Sequence, residues 1–526
     1  MAPKAPKKLT YVTLFADESI HPKYEAALGE FRSKLGRSYP MYIGNNEVKS
    51  EAGEFEHRSP IDTSIVVGRF QIGTRDHAKA AIEAAKAGFQ KWSATPWRER
   101  VRVLENAAKI VERRKFEIAV AITYEVGKNR TEALAECWES ADAVRYYADQ
   151  MKKNDGYEEK MGPGGPGEHC RLVCKPMGVW PVISPFNFPL MLASAMALGA
   201  LITGNSIIIK PTSEAPLTGL YLYQVYRDAG VPAGAVNFVT GPGSNFEDEF
   251  VSNPDVAGIA FTGSRDVGMR LYRRFTSSQP YPKPILLEMG SKNPTIVTAK
   301  ADVKKAVEGT VRAAYGYGGQ KCSATSRLYV QRTISQKFLA ALQARVANVK
   351  VGDPREKGVF MGPVINEAAV KRFEEALAEA TRAGGKVIAG GQVLKSGPAA
   401  NGYYVAPTVI TGVPHDNKLF TDELFVPLVV VDEFDTLDEA LAKANKTEYG
   451  LTAGIFSGNN KEVEKFFDKI QFGVAYSNRE GGSTTGAWPG AQSFVGWNAS
   501  GSTGKGSGGP NYLFTFLRDQ AQTRVF

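Results

Sequence analysis

Residues 178–211 read GVWPVISPFNFPLMLASAMALGALITGNSIIIKP, and this stretch decides the fold. It contains two short apolar runs, 178–184 and 206–210, separated by an apolar segment of helical length, 190–201. Short apolar runs that alternate with helix-length segments are typical of a parallel sheet covered on both faces. The stretch therefore predicts a strand–helix–strand unit.

The same alternation extends beyond this stretch. A second alternating series runs from 284 to about 478. Upstream, residues 76–125 and 131–152 carry apolar residues at helical spacing, which predicts amphipathic helices. Residues 1–60 are expected to form an irregular arm with one helix and one short strand. The further predicted elements are helices at 22–34, 217–229 and 245–251, and strands at 41–43, 236–240 and 258–261.

The chain length predicts more than one lobe, because 526 residues exceed what a single core supports. A Gly/Pro cluster at 163–167 is a natural place for the chain to leave a lobe. We predict an α/β fold with a doubly wound parallel-sheet cofactor domain and a second α/β catalytic domain, joined by a small bridging or oligomerisation element. The expected boundaries are 1–147 and 169–290 for the first, 291–498 for the second, and 148–168 and 499–526 for the third.

Composition and charge exclude several classes of protein. With 43% hydrophobic and 23% charged residues, the chain is neither disordered, collagen-like nor a disulfide scaffold. A net charge of +9 raises the alternative of a nucleic-acid binder, but basic and acidic residues are interleaved. The densest basic cluster, 113–115, lies between Glu112 and Glu117, as on a solvated helix face. We therefore expect no nucleic-acid partner.

Four cysteines in so long a chain (137, 170, 174 and 322) indicate a reducing compartment, and we expect a cytoplasmic protein. Cys170 and Cys174 adjoin His169, but no second cluster completes a metal site, so no metal is predicted. The longest apolar run, 188–204, is short for a membrane span and reads as a buried helix. The first residues show no secretory or transit character.

The segment GYGGQKCSA at 316–324 carries the first candidate for chemistry. A cysteine in a long protein is more often a small buried hydrophobe. Cys322 differs, because it follows glycines, lies between Lys321 and Ser323, and is followed by Arg327. This pattern predicts a partly exposed thiol on an electropositive loop, a setting that favours the thiolate nucleophile.

Two further residues have the chemistry that such a nucleophile needs. Asn187 follows a predicted strand, at the end where open sheets bind ligands, and its amide can donate to an oxyanion beside the Cys322 N–H. Glu288 closes an apolar strand, where desolvation would raise its pKa toward that of a general base. The alternatives are a local turn hydrogen bond for the asparagine and a surface acid for the glutamate.

A cofactor site is indicated by FTGSRDVG at 261–268, which follows a strand and opens a helix. Gly263 and Gly268 allow a tight turn, and the helix N-terminus with Ser264 suits a pyrophosphate, although such glycine pairs are often plain turns. Lys210 closes another strand at an exposed position, where a cation can meet adenosine ribose or phosphate oxygens. A solvated lysine is the alternative.

Together, these pieces resemble the aldehyde dehydrogenase superfamily across nearly the whole chain. The resemblance implies that Cys322 attacks the aldehyde, that Asn187 with the Cys322 amide stabilises the alkoxide, and that Glu288 activates water to hydrolyse the thioester. The motifs that carry it are PFNFP at 185–189, GN at 204–205 leading to KP at 210–211, FTGS at 261–264, LEMG at 287–290, GQKC at 319–322 and ELFVP at 423–427.

The resemblance also implies a nicotinamide dinucleotide. Lys210 would contact adenosine ribose, Ser264 the pyrophosphate and Glu423 the nicotinamide ribose, while Phe425 would pack by the nicotinamide. Ser213 stands where the family often has a glutamate that favours NAD, so NADP beside NAD is possible. The expected cofactor-binding set is Lys210, Ser213, Gly263, Ser264, Gly268, Glu423, Phe425 and Phe186.

Within the superfamily, the chain is similar to the Δ1-pyrroline-5-carboxylate dehydrogenases, which oxidise glutamate γ-semialdehyde to glutamate in proline catabolism. GQKCSA at 319–324 with SR at 326–327, GSRDVG at 263–268 and GGPNYL at 508–513 carry this likeness. It implies that Ser323, Gly486 and Ala487 hold the substrate carboxylate, which a hydroxyl and backbone N–H groups can do. It also implies a homodimer or larger assembly, to which the strand-like 522–526 could contribute.

Departures from the family pattern keep rivals open. Thr325 stands where the family often has a second cysteine, and Val426 replaces a glycine. SFVG at 493–496 replaces Pro-Phe-Gly-Gly, and the loop 480–485 is longer than usual. The rivals are a dehydrogenase of another semialdehyde or aliphatic aldehyde, and a catalytically silent binding or structural protein on this fold.

Overall fold

The computed structural model describes residues 17–481, 488–502 and 504–525, which form 24 strands and 14 α-helices. The helices are α1 Ile20–Phe31, α2 Arg75–Ala94, α3 Trp97–Val126, α4 Arg130–Lys153, α5 Met191–Ile202, α6 Pro216–Ala229, α7 Ser244–Ser252, α8 Arg265–Ser278, α9 Val303–Tyr315, α10 Arg332–Ala347, α11 Glu367–Arg382, α12 Lys418–Thr421, α13 Leu437–Asn445 and α14 Asn460–Lys469. Short 3₁₀ turns occupy Arg32–Lys34, Gly316–Gly319, Gly397–Ala399 and Tyr512–Phe516.

The strands make up two large sheets and four small ones in this part of the chain. They are β1 Ser38–Tyr39, β2 Met41–Ile43, β3 Asn46–Val48, β4 Glu54–Arg58, β5 Val66–Gln71, β6 Glu158–Lys160, β7 Glu168–Pro176, β8 Val179–Ser184, β9 Ser206–Pro211, β10 Val236–Phe238, β11 Ile259–Thr262, β12 Ile285–Glu288, β13 Asn293–Val297, β14 Thr325–Gln331, β15 Lys386–Ala389, β16 Val393–Leu394, β17 Tyr404–Val405, β18 Thr408–Thr411, β19 Leu428–Phe434, β20 Tyr449–Gly450, β21 Thr452–Phe456, β22 Val474–Ser477, β23 Trp497–Asn498 and β24 Leu517–Val525.

The first large sheet has the order β12-β11-β8-β9-β10-β2-β3. Its five strands from β12 to β10 are parallel, and the hairpin β2–β3 extends the sheet antiparallel. The chain moves outward from β8 through β9 and β10, then returns to place β11 on the other side of β8. Ligands bind at the strand carboxyl ends beside such a reversal point. The predicted doubly wound parallel sheet is confirmed.

The quoted stretch 178–211 lies at the centre of this sheet. β8 and β9 run side by side in parallel, and every residue of β9 is buried. α5 is buried on nearly all sides, which explains why its sequence is apolar without a polar face. The predicted buried core helix is confirmed. No helix in residues 17–481, 488–502 and 504–525 has the length and apolar character needed to cross a bilayer.

The second large sheet has the order β15-β18-β19-β14-β13-β21-β22, and all its pairs are parallel except β15–β18. Only residues 289–292 separate β12 of the first sheet from β13 of the second. Cys322 lies just before β14, the neighbour of β13. The chain therefore brings the end of one sheet directly to the cysteine loop of the other.

The two ends of the chain depart from the prediction. The predicted strand at 41–43 is confirmed as β2. The arm is nevertheless not irregular, because β1, β3 and β4 also end before residue 60. These three strands escaped prediction since they are short and largely exposed. The tail strand begins earlier than predicted, at Leu517, and pairs with β7 over nine residues in the three-stranded sheet β24-β7-β6. The predicted strand at 522–526 is thus the end of a longer one, and Phe526 lies outside the described residues.

Candidate active site

A cleft of about 580 Å³ lies at the carboxyl ends of β8, β9 and β11 and extends to the second sheet. Cys322, although 135 positions from Asn187 in the chain, lines the same cleft as that residue. Glu288, Ser213, Gly268 and Ser323 are not among the described residues that line it. The predicted residues that do line it are Phe186, Asn187, Lys210, Gly263, Ser264, Cys322, Glu423 and Phe425.

The loop before Cys322 has an unusual backbone. Tyr317, Gly318 and Gly319 have φ values of 50°, 63° and 68°, all in the left-handed region. A tyrosine there is strained, and its hydroxyl donates to the Val126 carbonyl at 2.7 Å, which holds it in place. A Cβ at Gly319 would lie 2.5 Å from the carbonyl oxygen of Val426, so only glycine fits.

Asn293 holds the Cys322 backbone from the other side. Its Nδ2 donates to the Cys322 carbonyl at 2.7 Å and to the Ala324 carbonyl at 2.9 Å. Its Oδ1 accepts from the Thr452 N–H at 2.9 Å. Sequence reasoning missed this residue, since the only signal was an asparagine at the start of a buried strand.

The predicted partial exposure of Cys322 is confirmed, since the residue is half-buried, but its expected electropositive setting is wrong. Lys321 forms a buried ion pair with Glu132 at 2.5 Å. Arg327 is fully buried and donates to backbone carbonyls of Lys292 and Ala444 at 2.8 and 2.9 Å. Burial, and next the carboxyl groups of Glu423 and Glu288, raise the pKa of the Cys322 thiol to about 12. The free thiol therefore rests protonated.

Asn187 lies in the turn between β8 and α5 and is buried. Its side-chain amide makes no hydrogen bond within the part of the chain that the structure describes. A side-chain amide on the wall of a cleft can be satisfied by solvent or by a ligand. The amide is thus an available donor on the wall that Cys322 also lines.

Glu288 lies on the inner side of Cys322. Both residues line a small cavity of about 20 Å³, together with Ser507 and Tyr512. Cys322 lines both this cavity and the cleft, so the cysteine stands between the two. Burial raises the pKa of the Glu288 carboxyl to about 8, which confirms the predicted direction.

The strand end that carries Glu288 is held by the tail. The Ser500 hydroxyl donates to the Gly290 carbonyl at 2.7 Å, and the Leu287 N–H donates to the Ser502 hydroxyl at 2.8 Å. These bonds flank Glu288 on both sides. Sequence reasoning missed them, because it assigned residues from 499 onward to the bridging element.

The turn after β11 opens α8 toward the cleft. Ser264 caps this helix and accepts from the Val267 N–H, while Gly263 lines the cleft. Gly268 instead faces the protein interior, where a Cβ would lie 2.6 Å from the sulfur of Met289. Gly268 therefore allows α8 to approach the loop after β12, outside the cleft.

Lys210 is buried, with 5% of its surface exposed, so its predicted exposed position is wrong. Its ammonium donates to the Pro211 carbonyl at 3.1 Å and lies 6.0 Å from the centre of the Phe246 ring. Burial lowers the pKa of Lys210 to about 8. The neighbouring cleft position is Thr212 and not Ser213, which lies in the turn before α6.

Glu423 and Phe425 form the opposite wall of the cleft. Glu423 accepts from the Ser291 N–H at 2.8 Å, and burial raises the pKa of its carboxyl to about 7. A Cβ at Gly290 would lie 2.3 Å from this carboxylate, so the loop passes close beside it. Phe425, with a φ of 56°, meets Phe186 edge-on at a centroid distance of 5.8 Å.

The three predicted substrate residues are only partly described. Ser323 is buried beside Cys322, and its carbonyl accepts from the Thr452 hydroxyl at 3.2 Å. Gly486 and Ala487 lie outside the described residues, as does most of the long loop 480–485. Within the described ranges, no group of three or more His, Cys, Asp or Glu side chains is arranged to hold a metal.

The chain belongs to the aldehyde dehydrogenase family, which matches it over residues 48–521. A 1-pyrroline-5-carboxylate dehydrogenase of Geobacillus sp. (strain WCH70) is 35% identical over 525 residues, 99% of each chain. A crystal structure of 1-pyrroline-5-carboxylate dehydrogenase from Thermus with bound NAD has a TM-score of 0.93 at 33% identity and covers 100% of both chains. Betaine aldehyde dehydrogenase of Staphylococcus aureus in complex with NAD⁺ has a TM-score of 0.88 at 28% identity, covering 94% of this chain and 95% of that one.

Proposed function

We propose that this protein oxidises glutamate γ-semialdehyde to glutamate, with Cys322 as covalent nucleophile and NAD as the hydride acceptor. The observation that carries the proposal is the position of Cys322, between a dinucleotide-sized cleft and a cavity that contains Glu288. Asn187 is on the cleft side of the same sulfur. The residues proposed as oxyanion donor and base therefore each share a cavity with the proposed nucleophile, which supports the assignment.

The cleft fits a dinucleotide by the chemistry of its walls. The N-terminus of α8 with Ser264 suits a pyrophosphate. Lys210 also lines the cleft, and its ammonium, which donates to the Pro211 carbonyl, would contact the adenosine ribose. Glycine at 290 leaves the backbone free to pass beside Glu423. When bound, the dinucleotide supplies the hydride acceptor. Relatives crystallised with NAD support that cofactor. NADP, predicted from Ser213, stays a second candidate, although Ser213 does not line the cleft.

The residues act in two stages. Because the Cys322 thiol has a raised pKa, it needs a base to remove its proton as the sulfur–carbon bond forms, and Glu288 in the adjoining cavity can accept that proton. Asn187 donates to the oxygen that becomes negatively charged. The alkoxide then collapses to a thioester on Cys322, and its hydrogen leaves as a hydride to the acceptor that the bound dinucleotide would supply. Glu288 passes the thiol proton to solvent and, ionised again, removes a proton from the attacking water. The tetrahedral adduct releases the carboxylate product, and the Cys322 sulfur leaves as a thiolate that regains a proton.

The particular aldehyde is proposed from relatives and from the residues beside the nucleophile. Relatives named 1-pyrroline-5-carboxylate dehydrogenase match the chain from end to end, and Ser323, Gly486 and Ala487 would bind the substrate carboxylate. The likeness to betaine aldehyde dehydrogenase shows that this fold also serves a different aldehyde. The test is steady-state kcat/KM for glutamate γ-semialdehyde, succinate semialdehyde and simple aliphatic aldehydes. Poor relative activity on the first would reject the assignment.

We further propose a homodimer or larger assembly in the cytoplasm, built from the three domains predicted above. The tail strand β24 is mostly exposed, with Val525 71% exposed, so it offers a surface for a second copy. All four cysteines are free, as in reducing compartments. Sedimentation velocity on the full chain and on a chain ending at 516 tests the assembly, and equal masses for both would reject β24 as the contact.

A further inference from the structure

Glu136 connects the core of the protein to the segment that carries Asn187. It is fully buried in α4, and its Oε1 accepts from the Leu190 and Met191 N–H groups at 2.8 and 3.0 Å. These two groups open α5, three and four positions after Asn187. The first N–H groups of a helix have no partner within the helix, so this carboxylate anchors the helix start.

Lys128 extends the anchor to the cysteine loop. It is fully buried, and its ammonium donates to Oε2 of Glu136 at 2.6 Å. The same ammonium lies 3.8 Å from the centre of the Phe188 ring and 4.9 Å from that of Tyr317. Phe188 adjoins Asn187, and Tyr317 belongs to the left-handed loop before Cys322.

The buried ion pair of Lys128 and Glu136 is better explained as a device that fixes the positions of its neighbours than as a source of stability. A buried ion pair contributes little net stability compared with apolar side chains of the same size, whereas it admits few arrangements of its partners. Here the partners are the turn of Asn187 and the loop of Cys322. A shift of about 1 Å in such a constellation can cost roughly 100-fold in rate.

We propose that Glu136 is a positioning residue that holds the Asn187 amide beside Cys322 by fixing the start of α5. The inference rests on the proposed function, in which Asn187 donates to the oxyanion. Glu136 itself is buried behind the helix and does not line the cleft.

The test is a double-mutant cycle with Asn187. Glu136→Asp keeps the charge opposite Lys128 but withdraws the carboxylate from the two N–H groups. We expect kcat to fall roughly 10- to 100-fold, with the cofactor KM within about twofold of the parent. In the Asn187→Ala background, the same substitution should cost less than about twofold, because the group it positions is gone.

A matched control is present in the chain. Glu125 is equally buried and accepts from the Leu217 and Thr218 N–H groups at 2.6 and 2.8 Å, at the start of α6. Glu125→Asp therefore makes the same change at a helix that does not follow Asn187. With saturating cofactor, its kcat should stay within about twofold of the parent.

Several results would overturn the inference. A loss from Glu136→Asp that persists in full in the Asn187→Ala background, or an equal loss from Glu125→Asp, shows a merely structural role. Unchanged turnover in Asn187→Ala alone rejects the oxyanion role, and hence the proposed function as well. If Glu136→Asp does not fold, Glu136→Gln with Lys128→Met takes its place in the cycle, since it leaves no unpaired charge, and the same dependence on Asn187 is required.

Discussion

Lys321, the residue before Cys322 in the chain, forms a buried ion pair of 2.5 Å with Glu132. The ammonium that the sequence places beside the thiol is therefore held by a carboxylate of α4. Burial, followed by the carboxyl groups of Glu423 and Glu288, raises the pKa of the Cys322 thiol. In the proposed mechanism, a base therefore removes the thiol proton during the reaction, because no neighbouring positive charge stabilises a thiolate in the resting protein.

The resting thiol should react slowly with alkylating agents. Because its pKa of about 12 lies above the working range, the thiolate fraction rises about tenfold for each pH unit. We expect the rate of iodoacetamide modification of the enzyme without cofactor to follow that slope between pH 7 and 9. Peptide mass spectrometry with Cys322→Ser as the control separates this thiol from Cys170 and Cys174. A plateau below pH 8 would contradict the prediction.

Glu288→Gln should separate the two stages of the reaction. The amide cannot take a proton from water, so thioester hydrolysis should slow by about 10² to 10⁴-fold. Stopped-flow absorbance should show reduced cofactor formed in a burst, followed by slow turnover. Since Glu288 is also proposed to accept the thiol proton, the rate of the burst should be lower than in the parent. At high pH this rate should return toward the parent value, because more of the Cys322 thiol is then already ionised. An unchanged steady-state rate of thioester hydrolysis in Glu288→Gln would exclude Glu288 as the base.

The pH dependence of hydrolysis should report the same carboxyl group. Its pKa is raised to about 8, so the ionised base dominates only above that pH. Where hydrolysis limits turnover, kcat should fall about tenfold per unit as pH drops below about 8 and level off above it. Steady-state kcat from pH 6 to 10 measures this, and the profile should lose the inflection in Glu288→Gln.

Asn187→Ala should impair catalysis without impairing cofactor binding. Loss of one oxyanion donor typically lowers kcat by about 10² to 10³-fold. The dissociation constant for NAD, measured by fluorescence titration, should change little, since in the proposed mechanism the lost amide binds the substrate oxygen and not the dinucleotide. Asn187→Asp offers a control of similar size whose charge opposes the oxyanion, and it should be no more active than the alanine variant.

Stability should depend strongly on Gly88 in α2. A Cβ there would lie 2.2 Å from backbone atoms of Gly234 and Ala235, which cannot move aside as a side-chain tip can. Gly88→Ala should destabilise the fold by about 1–3 kcal/mol. Gly29→Ala in α1 is the control, because nothing lies within 4 Å of its Cβ, and it should stabilise by about 0.4–1 kcal/mol. Urea denaturation midpoints of Gly88→Ala and Gly29→Ala measure the difference. Equal midpoints would contradict the close approach of the backbone at Gly88.

Much of the fold and some of the site were predictable from sequence. The apolar runs of 178–211 predicted β8, α5 and β9, because a helix and a strand buried on all sides have few polar positions. Membership of the aldehyde dehydrogenase family is confirmed. The short exposed strands β1, β3 and β4 of the arm carry no such periodicity, and they were missed, whereas β2 at 41–43 was predicted.

The parts of the site that escaped prediction depend on contacts between distant segments. Asn293, Glu136 and Ser500 hold the cysteine loop, the asparagine turn and the glutamate strand, yet none belongs to a chemically distinctive motif. The surroundings of Lys210 likewise include a distant residue, since Phe246 of α7, whose ring centre lies 6.0 Å from the ammonium, is 36 positions later in the chain. Such partners are chosen by packing and not by sequence spacing.

The sequence by itself determined the order of strands and helices, the family, and which side chains had the chemistry for a reaction. Local sterics and the spacing of apolar residues are sufficient for that. Only the tertiary structure decided the state of those groups. Lys321 and Glu132 stand 189 positions apart, and their pairing removes the charge that proximity in the chain had assigned to Cys322. A pKa follows from burial and from neighbours in space, and both exist only once the chain has folded.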